Sequence, residues 1–238
     1  MKKIDEIYTE LPFYGSPRVT RELKNQSLIV NHKRVARLMR KMGLQAIFPK
    51  ENTSEPHPNH PVFPYLLRRT KITHPNHVWG TDITFIRGKG IWFYLTAILD
   101  WYSRFVISWK LSRTLTVDFC LEALDEALEI ALPEIHNSDQ GSQFTSYEYI
   151  SLLKKFPEVK ISMDGRGRCF DNIFTERLWR TVKYEEVYLH DYQSFEEANE
   201  SLKNYFRLYN YRRLHSSLNY KTPAEIYYKA TELRKSHI

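Results

Sequence analysis

The chain has 238 residues, enough for one large domain or for a core with small appendages, and its 42% of apolar residues can fill a sizeable interior. It contains no apolar run of 18 residues or more and does not open on the apolar stretch of a signal peptide, so neither a membrane span nor export is expected. The net charge of +7 is unevenly spread: residues 1–50 carry eleven Lys or Arg against four Asp or Glu, while the rest of the chain holds 24 of each sign. Such asymmetry is the electrostatic footprint of a nucleic-acid partner.

Residues 1–48 read as a small helical, DNA-binding module. Asn31 is placed to cap a helix in which Val35, Leu38, Met39 and Met42 recur at helical spacing, and Gly43 closes it. Arg34, Arg37 and Lys41 fall on another face of that helix, where they can meet DNA phosphates. A preceding helix is expected from Pro17 to Leu23, after a turn at Tyr14-Gly15. The pair suggests a helix-turn-helix-like unit. Residues 49–77 hold six of the eleven prolines, which oppose helix and sheet alike and read as a linker. His57-Pro-Asn-His60 and His74-Pro-Asn-His77 have a chelating spacing, but no cysteine or further histidine stands nearby to complete a zinc site. Cys120 and Cys169 are too far apart to form a metal-type pair, and a reducing cytoplasm is the simpler setting.

From Val78 the pattern changes. Residues 78–87, 91–100 and 104–111 are apolar, β-branched and aromatic runs joined by short turns, predicted as three strands. A helix follows over 117–131, then a short strand ending at Asp139, a helix over 147–155 and a strand over 159–163. Residues 163–169 form a basic loop containing Arg166 and Arg168, which is expected to be mobile and to contact DNA. The loop enters a helix carrying Glu176, Arg180 and Lys183 on one face and Phe174, Leu178 and Val182 on the other. Ser194-x-x-Glu197 is a capping box opening the last predicted helix, with Ala198, Leu202, Tyr205, Phe206 and Tyr209 as its apolar stripe. Residues 203–221 then carry five basic residues, Arg212 and Arg213 among them, and no acidic one, interleaved with tyrosines in a manner suited to nucleic acid. This divides the chain into a module at 1–48, a linker at 49–77, a core at 78–190 and a C-terminal helix and basic tail at 191–238 packed on the core.

Three acids stand out. Asp82 lies inside the apolar run Val78-Trp79-Gly80-Thr81-Asp82-Ile83-Thr84-Phe85-Ile86. Asp139 lies in Asn137-Ser138-Asp139-Gln140-Gly141, and Glu176 opens a helix within Asp171-Asn172-Ile173-Phe174-Thr175-Glu176-Arg177-Leu178-Trp179. A carboxylate buried in a strand is costly unless something pairs with it. Three gathered carboxylates repel, and hard oxygen ligands suit Mg²⁺ or Mn²⁺. Asp100, Asp164 and Asp171 are competing acids. Asp100 is better placed to order the turn after its strand, Asp171 to cap the Glu176 helix, and Asp164 sits at the entry to a loop where a fixed ligand is not expected.

These phrases, together with Asn31-His32-Lys33-Arg34-Val35, Tyr209-Asn210-Tyr211-Arg212-Arg213-Leu214-His215-Ser216-Ser217-Leu218 and Thr222-Pro223-Ala224-Glu225, closely resemble the DDE transposases of bacterial insertion sequences. The best match is the second-frame product of the IS-three family, whose cores are similar to retroviral integrase. The resemblance runs from about Tyr14 to Tyr228. It implies an α/β ribonuclease H-like mixed sheet flanked by helices, with Asp82, Asp139 and Glu176 as catalytic and metal-binding residues. Two Mg²⁺ or Mn²⁺ ions would serve strand cleavage and strand transfer at element ends. It also implies homo-oligomers on DNA, a possible upstream-frame helix-turn-helix partner, and a cytoplasmic, nucleoid-associated setting. The family usually places 35 residues between its second Asp and its Glu, whereas here there are 36, which a one-residue insertion near Phe156-Pro157-Glu158 accounts for. Two other functions are compatible with the residues: a hydrolytic nuclease of the same fold, and a non-catalytic DNA-binding protein.

Overall fold

The computed structural model of the chain describes residues 1–47, 61–165 and 172–235, the last five by backbone alone. The chain divides into two compact units, Met1–Glu55 and Pro56–Ile238.

The first unit consists of α1 (Lys2–Glu10), α2 (Ser16–Asn25) and α3 (His32–Lys41). Ile4, Ile7, Val19, Leu23, Val35 and Met39 bury together at its centre. The predicted cap is present: the Asn31 side chain accepts from the Lys33 N–H at 2.9 Å. Gly43, at φ +69°, ends α3 in a Schellman turn, with Gly43 N–H on the Arg40 carbonyl and Leu44 N–H on that of Met39. Ser27 ends α2 in the same way at φ 63°, where a glycine would be at ease. Residue patterning predicts two helices here. The third, α1, supplies Ile4 and Ile7 to the same core.

In the second unit β1 (Val78–Arg87), β2 (Trp92–Asp100), β3 (Val106–Ser112), β4 (Ile135–Ser138) and β5 (Lys160–Met163) form one mixed sheet in the order β3-β2-β1-β4-β5. The first three strands are an antiparallel meander, and β4 and β5 add in parallel to β1. The helices are α4 (Asp118–Ile130), α5 (Tyr147–Lys154), α6 (Ile173–Glu185), α7 (Phe195–Tyr211) and α8 (Pro223–Lys235). Both sheet faces are covered, which is why β2 reads as a nearly continuous apolar run rather than an alternation. One face, with Val78, Ile86, Leu95 and Leu99, packs against Leu178, Trp179 and Val182 of α6 and the buried stripe of α7. The other, with Trp79, Ile98 and Ile107, packs against α4 and α5.

Two expectations need correction. Over residues 61–77 the expected linker is part of the second unit: Leu67 is buried in the core, and the Leu66 N–H donates to Ser162 Oγ at 3.1 Å. His74 and His77 stack at 4.8 Å and both face Glu134, on the connection before β4. The last helix is α8, not the one opened by Ser194. Its start is a reciprocal capping box in which Thr222 Oγ1 accepts from the Glu225 N–H at 3.2 Å and Glu225 Oε2 from the Thr222 N–H at 2.7 Å. As the apolar stripe of α7 predicts, Tyr205 and Tyr209 are core residues, whereas Tyr211 and Tyr220 are exposed.

Candidate active site

Strand register brings the two aspartates together. Gly80 of β1 pairs in parallel with Asn137 of β4. Two residues further along each chain are Asp82 and Asp139, on the same face and on neighbouring lines about 4.8 Å apart. β4 stops at Ser138, so β1 continues alone beyond Gly80 on that side, opening a crevice at the carboxyl ends of the parallel strands. Asp139 leaves β4 in a tight turn: its Oδ1 accepts from the Gly141 N–H at 2.8 Å. A Cβ on Gly141 would lie 2.8 Å from that oxygen, so any larger residue displaces the Asp139 carboxylate.

α6 runs alongside β1. Thr175 packs over Gly80, where a Cβ would stand 2.1 Å from the Trp101 indole nitrogen and 2.8 Å from Thr175 Oγ1. One turn on, the Trp179 indole N–H donates to Asp82 Oδ2 at 3.0 Å. Four residues of helix rise about 6 Å and two of strand about 6.8 Å, so the two contacts fall in step. At the start of α6 the Asn172 amide donates to the Thr81 carbonyl at 3.3 Å. The buried face of the helix is therefore Thr175, Leu178, Trp179 and Val182, and Phe174 of the predicted Phe174–Leu178–Val182 stripe is partly buried against the same core. There it packs edge-on to Trp101.

The pair is electrostatically strained. Burial, then the Asp139 charge, raises the Asp82 carboxyl to about 6, with a smaller push from Glu176; the Ile83 and Trp179 N–H groups oppose it. Burial also raises Asp139, against the Gly141 N–H. Glu176 is exposed in the first turn of α6, and its carboxylate has no hydrogen bond or ion pair with any described residue. The later glutamates are committed elsewhere: Glu185 holds Arg213 through both carboxylate oxygens, at 2.5 and 2.7 Å, and buried Glu186 accepts from Tyr192 Oη at 2.8 Å and from Ser201 Oγ. Among the described residues no three His, Cys, Asp or Glu side chains converge closely enough to hold one ion together. Asp82 and Asp139 are the adjacent pair, with Glu176 within electrostatic reach of Asp82.

Of the other predicted site residues, Arg34, Arg37 and Lys41 are exposed on α3. Arg180 is exposed and sits 5.9 Å over the Tyr184 ring, Lys183 is half-buried, and Arg212 is exposed. Arg213 is tied to Glu185 within the chain. Arg166, Arg168 and Asp171 lie outside the described residues; the capping position of α6 itself is Asn172. Asp100 orders its turn as expected, accepting from the Ser103 N–H at 2.8 Å and the Asn76 N–H at 2.7 Å. Asp164 differs from expectation. It is buried at the end of β5, its N–H bonds the Ser138 carbonyl, and the Asn137 amide donates to its carboxylate at 2.8 Å. Sequence reasoning missed Trp179, Gly80, Asn172 and Gly141 as positioning residues. Only Gly80, a glycine amid a buried strand, carried a visible signal.

A mixed sheet of this order, flanked by helices and carrying two adjacent carboxylates at the tips of its parallel strands, defines an integrase-type ribonuclease H-like core. The integrase core domain profile matches residues 72–169 and 157–223, and an HTH-like domain matches residues 1–52. The catalytic core of HTLV-2 integrase, in complex with magnesium, superposes with a TM-score of 0.53 at 23% identity over 65% of this chain and 97% of that one. A chain of the simian T-cell lymphotropic virus intasome in complex with the PP2A regulatory subunit B56 gamma gives 0.58 at 16% identity over 94% of this chain and 74% of that one. Among relatives, the transposase InsK of element IS150 from Escherichia coli is 35% identical, covering 94% of this chain and 81% of that protein. The transposase InsF of IS3A from Escherichia coli is 33% identical over 85% and 73%. A 31 kDa protein of IS600 from Shigella sonnei is 33% identical over 89% and 80%. The chain belongs to the insertion-sequence transposases of the IS3 family.

Proposed function

We propose that this chain is a DDE polynucleotidyl transferase that cleaves DNA at the ends of its insertion sequence and joins them to target DNA. Asp82, Asp139 and Glu176 are its catalytic carboxylates. The observation that carries the reading is the choice among glutamates: the two aspartates stand side by side and strained, Glu185 and Glu186 are bonded within the fold, and Glu176 projects beside the pair without a partner among the described residues. Two half-buried, mutually repelling carboxylates with Asp139 Oδ2 outside any hydrogen bond to described residues fit a divalent cation in charge and ligand type. The three acids would hold two Mg²⁺ or Mn²⁺ ions, with Glu176 swinging inwards from the first turn of α6. The chemistry such ions supply is activation of the attacking oxygen and neutralisation of charge on the leaving one.

The chain's own groups set the stage for that displacement. Trp179 and Ile83 N–H groups fix the Asp82 carboxylate, and Gly141 fixes that of Asp139. Arg180 and Lys183 hold DNA phosphates along α6, while Arg34, Arg37 and Lys41 of α3 contribute salt-sensitive affinity for the element ends. The working form is a homo-oligomer on paired ends in the bacterial cytoplasm. Strand transfer with candidate end sequences and Mn²⁺ or Mg²⁺, alone and with an upstream-frame partner, is the test. Glu176→Gln should abolish cleavage and joining at unchanged melting temperature, whereas Glu185→Gln should keep activity. Joining by Glu176→Gln at a rate near the unmodified protein's overturns the assignment; cleavage without joining favours a hydrolytic nuclease.

A further inference from the structure

A second cluster of charge lies on the other flank of α6. Between that helix and the turn over residues 213–220 is a cavity of about 840 Å³, lined by Arg104, Arg177 and Arg180 and by Tyr184 and Tyr220. Its far wall is rigid: Arg213 is clamped to Glu185, and Arg213 Nη1 donates to His215 Nε2 at 3.2 Å. Burial and the neighbouring Arg213 hold His215 down to about 4, so it is a neutral acceptor at physiological pH.

One arginine lining the cavity, Arg104, is only partly satisfied within the fold. Arg104 takes a left-handed φ of 63°, costly for a long side chain, to lay its guanidinium 3.6 Å over the Phe174 ring. Its Nη1 is buried without a hydrogen-bond partner among the described residues. The nearby Asp100 attracts Arg104 but spends its hydrogen bonds on Ser103 and Asn76; burial, and then repulsion by Arg177, brings Arg104 down to about 10. Among the described residues, neither Arg104, Arg177 nor Arg180 has a carboxylate within ion-pair distance. A desolvated, unpaired guanidinium beside a second cation is expensive unless an anion completes it. Exposed tyrosines at the mouth, Tyr184 and Tyr220 at 65% and 71% accessible, offer stacking faces.

We infer that this cavity is a binding site for one unpaired nucleotide of the DNA substrate, its phosphate on Arg104 and Arg177 and its base against Tyr184 or Tyr220. A recess of about 840 Å³, open on one side, has room for one nucleotide turned out of the stack. The site rests on the DNA-processing reading above but uses none of its three carboxylates. It places an unpaired strand segment next to Glu176, whose helix forms one wall.

The test is fluorescence anisotropy of the full chain with a labelled five-nucleotide single strand, in metal-free buffer containing EDTA. Arg177→Gln changes an exposed helix residue, and Arg104→Asn keeps a residue at ease with left-handed φ, so both should fold. Each should weaken binding about tenfold, the value of one charge-assisted hydrogen bond. Tyr184→Ala combined with Tyr220→Ala should erase the preference for the natural strand over an abasic one, while Asp82→Asn should bind as before. Unchanged affinity in both arginine variants, or equal binding of abasic and natural strands by the unmodified chain, overturns the inference. A chain that shows these losses yet never cleaves with Mg²⁺ sinks the catalytic reading instead and leaves this site standing.

Discussion

The indole of Trp179 donates to Oδ2 of Asp82 at 3.0 Å, and so a residue of the α6 core fixes the orientation of a carboxylate on the central strand. The bond favours the charged form of an acid that burial and Asp139 hold near 6. Trp179→Phe keeps an aromatic ring and removes the donor. The Asp82 carboxyl should then titrate higher still, and strand transfer should fall by roughly ten- to a hundredfold, the value of a hydrogen bond to a charged group. NMR titration of the Asp82 side chain checks the first part; an unmoved midpoint would show that the indole is only packing.

Asp82 makes the folded chain less stable at neutral pH. Its carboxyl titrates near 6 when folded against an ordinary 3.8. Between those values the unfolded chain releases its proton first, so stability falls as pH rises through about 4 to 6 and is level above. Asp82→Asn has no proton to release. At pH 7 it should melt higher than the unmodified chain, by about 2–4 °C for each kcal/mol recovered, with the gap closing towards pH 4. Mg²⁺ should raise the melting temperature of the unmodified chain and not that of the variant. A lower melting temperature for Asp82→Asn at pH 7 would contradict the strain.

Gly141→Ala should separate folding from chemistry. Its Cβ would stand 2.8 Å from Asp139 Oδ1, which must rotate away. An ångström-scale misplacement costs on the order of a hundredfold in rate while the turn itself survives. Calorimetry and strand transfer on one preparation decide it. Gly80→Ala behaves differently, because its Cβ meets the buried Trp101 ring at 2.1 Å and should unfold the second unit.

Replacing Arg34, Arg37 and Lys41 together by Gln should flatten the salt dependence of DNA binding. Each phosphate left without its cation removes about 0.9 from the slope of log K against log salt. All three side chains are exposed, so melting should be unaffected. An unchanged slope would place the electrostatic anchoring on other residues.

Much of this was legible beforehand. β1 was readable to its ends because its buried, β-branched run is bounded by His77 and Gly88, and Asp82 was conspicuous because a charge in such a run is an anomaly. α1 was not, since two isoleucines among charged residues leave only a faint stripe. α8 begins with a capping box, yet Thr222 to Glu225 registered as a motif rather than as a helix start. Trp179 could not be singled out, because an indole facing a core and an indole holding a carboxylate look alike until α6 is laid along β1. Asp164 looked like loop because Gly165 follows it. What fixes it is the parallel ladder running one residue past β5 and the Asn137 amide, both tertiary facts.

Asn76, at φ 60°, accepts on one amide oxygen from both the Trp79 indole at 3.0 Å and the Tyr227 hydroxyl at 2.9 Å, the latter 151 residues away. Tyr227 also stacks on Phe105 at 4.7 Å and sits in the α4–α5 core. That clasp has a timetable. A ribosome adding ~5–20 residues per second needs on the order of 8–30 s to travel from Asn76 to Tyr227. Until Tyr227 is made, Phe105 lacks its stacking partner. The contacts of α8 with Asn76 and Phe105 therefore close only after the whole sheet has been made.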